Sequence, residues 1–367
     1  MQLKYLITLL ISVLLLSCDS KHYENIDVSN PEFIPNTIFL SSENLISLKF
    51  EHLKTKYQLD TIFHGETDEL KRILLLRHWE KSIIKIDNFG PYSDDGFTER
   101  ILDAALKGEG FHCGHFMKVQ NGIMNAYGYV TRTLGAGSGQ MGGPDGHHGI
   151  NEIWLNSYNK WFLSDAKYDH HFEKNGIPLS ALEIRDEYLK NKGADILLVD
   201  GPQRIPFEID EETGITKERY TQTYTWIEWH VYNNMFTVWP DFETLLVMYE
   251  DEYFSTHTWI WDGKPHWAYN TKYLILEKER TPFEWTPNTI SSEVKIHGNN
   301  ATIILKSETP NLREYQILKP DTDIWQSTND SLEITLKNKK YEFFFRTINI
   351  ADITGPEHKI VIKQIDN

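Results

Sequence analysis

The sequence predicts an α+β fold in which helices come first, antiparallel strands follow, and a β-sandwich ends the chain. Apolar residues recur at helical spacing in four segments before residue 128. Beyond that point the apolar segments become short, alternating and rich in β-branched and aromatic residues, which is typical of strands. The chain has 367 residues, 40% of them apolar, so it can form roughly two or three units with full cores.

The predicted helices have recognisable beginnings or ends. Thr67 is the expected N-cap of the second helix, because Asp68 and Glu69 follow in the first turn, where acidic side chains are favoured. Gly108 ends the third helix, and a fourth begins at Cys113. The predicted helices cover 42–58, 67–84, 98–107, 113–128 and 182–192.

The predicted strands fall into two groups. In the second group the turn at 297–300 (His-Gly-Asn-Asn) separates two short alternating strands, so we expect a small immunoglobulin-like β-sandwich over 287–367. The first group comprises 129–134, 148–155, 160–166 and 196–199, and the second 294–296, 301–305, 332–336, 341–346 and 359–365.

An aromatic-rich stretch lies between the two groups of strands. Residues 220–269 hold 15 Phe, Trp and Tyr, including six of the 11 tryptophans. We expect most of these rings to be in the core, because large side chains dominate packing. The alternative is that some present flat faces to sugar rings. We assign 206–286 to an aromatic-rich β extension.

The charge balance excludes one class of partner. Lysine and arginine total 37 against 53 aspartates and glutamates, which gives a net charge of −16, and no long basic run is present. A phosphate backbone would be repelled by such a surface. We therefore expect no nucleic-acid partner.

The first 17 residues predict an export signal. They carry one lysine followed by an apolar run that is too short to span a bilayer. Residues 15–18, Leu-Leu-Ser-Cys, resemble a bacterial lipobox, which implies cleavage before Cys18 and acyl chains on that residue. The alternative is an ordinary signal peptide, 1–17, followed by an incidental cysteine. We expect a lipid-anchored protein of the cell envelope or cell surface, exported from the cytoplasm.

The segment after Cys18 is polar and contains two prolines, so 18–40 is expected to be an extended tether without a core. The chain has only two cysteines, and lipid on Cys18 leaves Cys113 without a disulfide partner. An unpaired thiol in an exported protein is a liability unless its chemistry is used. Cys113 is therefore a candidate nucleophile.

Two further residues are suited to activate this thiol. The N-terminus of a helix favours a thiolate, and histidine can take and return the proton near neutral pH. His148 begins one predicted strand and Asp165 ends the next, so a hairpin would place both at one end. Taken singly, Cys113 could be a buried structural thiol, and the other two a packed histidine and a strand-end carboxylate.

The pattern as a whole resembles a known family. Cys113 at a helix start, His148 in a His-x-x-Asn-Glu-hydrophobic-aromatic strand, and Asp165 after Lys-Trp-Phe-Leu-Ser are similar to the transglutaminase-like branch of papain-type thiol enzymes. The resemblance is firm over 110–172. It implies a papain/transglutaminase-like core over 41–205, in which the helix that carries the cysteine packs on an antiparallel sheet.

The same resemblance implies a catalytic triad. Cys113 would attack a carboxamide or peptide carbonyl, His148 would move the proton, and Asp165 would orient the imidazole. Water would complete hydrolysis or deamidation, and an amine would complete cross-linking. We thus expect an exported enzyme that acts on peptides or glycopeptides. The alternative is a noncatalytic member of this fold that binds glycans or proteins.

The sequence identifies only one of the two donors that an oxyanion hole needs. The backbone N–H of Cys113 is one expected donor, and His112 and Trp79 are candidates for the second. Six histidines cluster around the candidate site, but their spacing fits no standard zinc finger or zincin helix, so we expect no metal and no cofactor. These are His112, His115, His147, His148, His170 and His171.

A glycine-rich segment precedes His148. Residues 135–146 include six glycines, but the segment leads into a strand, whereas a dinucleotide-binding loop opens a helix. We predict a mobile loop beside His148, acting either as a lid or as a slack connection.

Overall fold

The structure is a computed structural model, which describes residues 22–93, 96–138, 147–207, 216–237, 245–261, 264–266, 274–320 and 322–365. The predicted signal peptide 1–17 and the lipidation candidate Cys18 lie outside the described residues. The fold is mixed α+β with several antiparallel sheets, in agreement with the predicted class. Within the described ranges, no helix is both long enough and apolar enough to cross a membrane.

The five predicted helices are confirmed, with shifts at two N-termini. The first helix begins at Leu48 because Ser47 caps it, its side chain accepting from the Lys49 N–H. The second is capped by Asp68, not by Thr67 as predicted, since Asp68 accepts from the Lys71 N–H at 2.9 Å. The helices are α1 (Leu48–Tyr57), α2 (Glu69–Ile83), α3 (Thr98–Leu106), α4 (Cys113–Ala126), α5 (Ala181–Asn191), α6 (Lys217–Gln222) and α7 (Glu252–Thr256), with 3₁₀ turns at Leu59–Phe63 and Thr281–Glu284.

Strands are interspersed among these helices in the first two thirds of the chain and follow one another from residue 290 onward. They are β1 (His22–Ile26), β2 (Ser41–Ser42), β3 (Lys85–Ile86), β4 (Gly110–Phe111), β5 (Thr131–Gly137), β6 (His148–Leu155), β7 (Lys160–Ser164), β8 (His170–Lys174), β9 (Ile177–Pro178), β10 (Leu197–Asp200), β11 (Ile205–Pro206), β12 (Trp226–His230), β13 (Tyr232–Asn233), β14 (Leu246–Tyr249), β15 (Ile260–Trp261), β16 (Lys264–Pro265), β17 (Leu274–Glu277), β18 (Ile290–His297), β19 (Asn300–Ser307), β20 (Leu312–Leu318), β21 (Gln326–Thr328), β22 (Ser331–Thr335), β23 (Lys340–Asn349) and β24 (His358–Ile365).

A six-stranded sheet in the order β17-β14-β12-β5-β6-β7 forms the centre of the molecule. Its strands are antiparallel except for the parallel pair β14 and β17. One face packs on helices α1 to α4, because Ile153 and Leu155 of β6 share a core with them. The other face packs on α5 through Ile150 and Trp154. Because side chains alternate between the two faces of β6, this strand contributes apolar residues to both cores.

The aromatic-rich segment belongs to this central sheet. Strand β12 pairs with β5, with Glu228 opposite Gly135, and β14 and β17 extend the sheet beyond it. The predicted separate extension over 206–286 is therefore corrected, since its strands complete the sheet that begins in the preceding segment. The rings of Trp226, Trp229 and Trp259 are buried, as expected for core residues.

The C-terminal part consists of two sheets around one apolar cluster. The five-stranded sheet has the order β1-β24-β23-β20-β21, and the three-stranded sheet has the order β18-β19-β22. Ile303 and Leu305 of one sheet share the cluster with Phe343, Phe345 and Ile360 of the other. All five strands predicted here are confirmed, and β20 and β21 are additional strands that the sequence did not predict.

The described part of the predicted tether is ordered against these sheets. Strand β1 pairs in full with β24, and its Tyr23 side chain is in the core. The Asn30 side chain donates to the Lys359 carbonyl at 2.9 Å, and the Ile34 N–H donates to Thr286 at 2.8 Å. The expectation of a coreless tether over 18–40 is therefore wrong from residue 22 onward, because backbone pairing and a buried ring hold this segment.

Candidate active site

Cys113 is the first residue of α4, as the sequence predicts. His112 caps the helix, its Nδ1 accepting from the Gly114 N–H at 3.0 Å. A Cβ atom at Gly149 would lie 3.3 Å from the Gly114 Cα, so the glycine allows β6 to approach the first turn of α4 closely. The helix start and the beginning of β6 are thereby brought together.

The hairpin of β6 and β7 joins the other two predicted residues. Asn151 pairs with Ser164, so Asp165 follows directly after β7 at the end where β6 begins. His148 Nε2 lies 2.6 Å from Asp165 Oδ2. The strand ends that the sequence predicts to be neighbours are neighbours.

Asp165 is buried and has further partners. The Tyr168 N–H donates to Asp165 Oδ1 at 3.3 Å, and His170 Nε2 lies 3.4 Å from Oδ2. The Tyr168 ring lies beside both histidines, with its centroid 5.6 Å from that of His148 and 5.5 Å from that of His170. The carboxylate is therefore held by backbone and side chains together, which fixes the orientation of the imidazole it binds.

The electrostatics of the group favour a thiolate beside an imidazolium. Burial alone would raise the pKa of Cys113, but hydrogen bonds from His112 and His148, the positive charge of His148 and the Gly149 N–H lower that pKa to about 4. Burial would lower the pKa of His148, but the charge and hydrogen bond of Asp165, followed by those of Cys113, raise it. The pKa of Asp165 is held well below its usual range despite burial, mainly by His148.

A cleft of about 900 Å³ opens over these residues. Its floor includes the half-buried Cys113 together with His148 and Asp165. The lining also includes residues from 88–89, 134–135 and 219–230, the last of these in the segment predicted to be a separate extension. Side chains in the wall include His112, His147, Lys167, Tyr168, Arg219, Tyr220 and Tyr224. A site of this size accommodates a segment of a larger molecule.

A buried arginine fixes the turn that carries Asp165. Arg77 of α2 donates to Asp169 Oδ1 at 2.8 Å, to the Asp169 carbonyl at 3.0 Å and to the His170 carbonyl at 3.0 Å. Asp165 and His170 in turn exchange backbone hydrogen bonds, each at 3.1 Å. The helix thus clamps the turn from 165 to 170 through one side chain. Nothing in the local sequence around Arg77 signals this role.

The remaining sequence candidates lie at different places. His112 lines the cleft, whereas Trp79 packs against Tyr57, with ring centroids 6.3 Å apart, and is not part of the cleft wall. Residues 135–137 of the predicted glycine-rich loop belong to strand β5, and 139–146 lie outside the described residues. Of the two candidates for the second oxyanion donor, only His112 is at the site.

One group of side chains of the type that ligates metals is present in the described ranges. His147, Glu228 and His266 each bring a ligand atom to within 4.8 Å of the others. None of the triad residues belongs to this group. His170 and His171 are engaged elsewhere, with Asp165 and Glu173 respectively.

No family model matches the chain, and no curated protein matches it.

Proposed function

We propose that this chain is an exported, lipid-anchored thiol enzyme that acts on amide bonds of peptides or glycopeptides through Cys113, His148 and Asp165. The observation that carries the proposal is the contact of 2.6 Å between His148 and Asp165 beside a half-buried cysteine at a helix N-terminus, all on one cleft. A purely structural thiol requires neither an imidazole that is held by a carboxylate nor access to a cleft.

The proposed reaction begins with the thiolate. Cys113 Sγ attacks the carbonyl carbon, the C–N bond breaks, and the His148 imidazolium gives its proton to the leaving nitrogen. Water then attacks the thioester, and neutral His148 takes a proton from it. Cleavage of the C–S bond releases a carboxylic acid product and restores the thiolate and imidazolium. Asp165 keeps its charge throughout and holds the ring in place.

The oxyanion formed in each step needs two donors. The Cys113 N–H at the start of α4 is unpaired within its helix, as for any first-turn N–H, and is one proposed donor. His112 is the other. Its Nδ1 accepts from the Gly114 N–H, so a neutral ring carries its proton on Nε2, which we propose as the donor to the oxyanion.

The cleft wall supports a peptide or glycopeptide as substrate. Lys167 and Arg219 bring positive charge to the wall of a protein with a net charge of −16. Tyr168 and Tyr220 contribute partly buried rings, whose centroids lie 5.7 Å apart, for stacking on amide planes or sugar faces. A substrate with a carboxylate close to the reacting amide fits this wall.

We also propose family assignments for the two parts of the fold. A cysteine-bearing helix packed on an antiparallel sheet supports the papain/transglutaminase-like assignment. Two sheets with one shared core support an immunoglobulin-like unit at the C-terminal end.

Cleavage before Cys18 and lipid on its sulfur would anchor the mature protein. Mass spectrometry of the mature N-terminus tests this, since Cys18→Ser should abolish the lipid adduct and release the protein from membranes.

The alternative of a noncatalytic glycan binder has less support. Trp226, Trp229 and Trp259 of the aromatic stretch are buried, so these rings offer no face to a sugar. A glycan array probed with the Cys113→Ala variant distinguishes the alternatives. Binding that is unchanged in the variant, together with no turnover by the wild type, would favour the binder.

The enzymatic proposal is tested by following new carboxylates. Purified protein is incubated with mixed peptides and cell-wall glycopeptides in water enriched in heavy oxygen, and products are examined by mass spectrometry. Hydrolysis places the isotope in new carboxyl groups, and a biotinylated amine added in parallel reports acyl transfer. We expect product from the wild type and none from Cys113→Ala or His148→Ala. Equal products from wild type and Cys113→Ala would contradict the proposal.

A further inference from the structure

A second cluster of reactive side chains lies next to the thiol site. His147 directly precedes the triad histidine, Glu228 is in the middle of β12, and His266 follows β16. The three come from segments far apart in sequence and meet on one side of the central sheet. No step of the thiol mechanism uses them.

The distances within this cluster suit a small cation. His147 Nε2 lies 2.9 Å from Glu228 Oε1, and His266 Nδ1 lies 3.8 Å from Glu228 Oε2. Two ligands of a tetrahedral zinc ion, each bonded at about 2.0–2.1 Å, are separated by about 3.3 Å. Small side-chain rotations would bring the observed distances to that value.

Burial makes the cluster unusual. The Glu228 and His266 side chains are 2% and 0% exposed, and the His147 side chain is 29% exposed. Glu228 Oε2 is buried and has no hydrogen-bond partner among the described residues. A buried carboxylate oxygen without a partner is costly, and a bound cation would satisfy it.

The surroundings form a cradle for these side chains. A Cβ atom at Gly135 would lie 2.5 Å from His147 Nε2 and 2.7 Å from Glu228 Oε1, so only glycine leaves room at this position of β5. The His266 ring stacks on Trp259 with centroids 3.9 Å apart, and the His147 ring is within 14° of parallel to it. The ligand groups are thereby held in place before any ion binds.

We propose that His147, Glu228 and His266 bind a divalent transition-metal ion of the zinc class. Two imidazoles and one carboxylate form the donor set that zinc takes in sites with three protein ligands, where a water or a substrate group completes the shell. His147 also lines the thiol cleft, so the ion lies at the edge of that cleft. It ties β12 and the segment after β16 to the start of β6 and so braces the residue next to His148.

The test is metal binding by the purified protein, measured without reference to activity. After treatment with a chelator, the protein is titrated with Zn²⁺ by calorimetry and with Co²⁺ by visible absorption, which reports tetrahedral coordination. We expect one equivalent to bind. His266→Gln, Glu228→Gln and His147→Gln should each weaken binding at least about tenfold. Glu250→Gln and His257→Gln are matched controls outside the cluster and should bind as the wild type does.

Several results would overturn the proposal. These are a wild-type Kd weaker than about 1 mM, binding that survives all three cluster substitutions, or binding that is lost in Cys113→Ser, which would assign the ion to the thiol. If Glu228→Gln fails to fold, His147→Gln decides, since its side chain is partly exposed. Zinc-dependent stabilisation in thermal unfolding gives a second readout, expected for the wild type and absent in His147→Gln. None of these outcomes depends on turnover by Cys113.

Discussion

Replacing His148 with alanine should change the pH profile of Cys113 alkylation from flat to steep. In the wild type, burial raises the pKa of Cys113, but the hydrogen bonds of His112 and His148 and the charge of His148 lower it to about 4. The substitution removes the contributions of His148 and leaves burial, which raises the pKa of Cys113, opposed only by the His112 hydrogen bond and the Gly149 N–H. The pKa of Cys113 should then return to the ordinary thiol value of about 8.5.

The size of the change follows from two opposing effects. At about pH 5.5 a thiol of pKa about 8.5 is only about one part in 1,000 ionised, whereas the wild-type thiol is almost fully ionised. A less acidic thiolate is intrinsically more reactive, and with a Brønsted coefficient of about 0.45 a shift of about 4.5 units raises its rate about 100-fold. The variant should therefore react about tenfold more slowly at about pH 5.5 and faster than the wild type above about pH 6.5.

The assay is the second-order rate of alkylation by iodoacetamide, followed by intact mass from about pH 4.5 to about pH 9. Cys18 is the only other cysteine, so Cys18→Ser in every protein leaves Cys113 as the one thiol that can be alkylated. His297→Ala, an exposed histidine at the end of β18, is the control and should keep the flat profile. A wild-type rate that rises tenfold per pH unit up to about pH 8.5 would refute the reasoning.

Three further substitutions test the residues that hold the site in its geometry. Asp165→Asn removes the charge that raises the pKa of His148, so alkylation at about pH 5.5 should fall about tenfold, and any amide turnover by about 100-fold or more. Arg77→Met removes the buried cation beside Asp169 and leaves it only the largely exposed His78, so urea denaturation should show a loss of about 3 kcal/mol. Gly149→Val places methyl groups against Gly114, so it should destabilise by about 1–3 kcal/mol and make the alkylation profile steep like that of His148→Ala. A stable Arg77→Met protein or a flat profile in Gly149→Val would contradict these arguments.

The elements whose signals are local could be predicted from the sequence. Helix caps, glycine stops and alternating strands each depend on a few adjacent residues, and the five predicted helices and five of the C-terminal strands follow from them. Strand β1 could not be predicted, because its partner β24 is more than 300 residues away and its composition is polar. Its one buried ring, Tyr23, is too weak a signal among exposed neighbours.

The contacts of the candidate site likewise comprise local ones, which the sequence predicts, and long-range ones, which it does not. His148 and Asp165 lie on one hairpin, so their contact follows from a short connection and one register. Arg77, by contrast, reaches the Asp165 turn from a helix about 90 residues earlier. Glu228 reaches His147 through the pairing of β12 with β5. His266 reaches it from another segment, where its backbone N–H donates to the Trp259 carbonyl and its ring stacks on the Trp259 ring. Such contacts depend on tertiary packing, which no local pattern records.

In the proposed enzyme, the reactive residues and the residues that would set specificity come from different parts of the chain. The proposed nucleophile, base and carboxylate all lie between 112 and 170, where one helix and one hairpin hold them. Another part of the wall comes from Arg219, Tyr220 and Tyr224, which precede β12, a strand of the same sheet, and Tyr220 packs against Tyr168 and His170. If the proposed function holds, we expect changes in this part of the wall to alter which acyl group enters without moving the thiol, so that the same reactive residues serve different substrates.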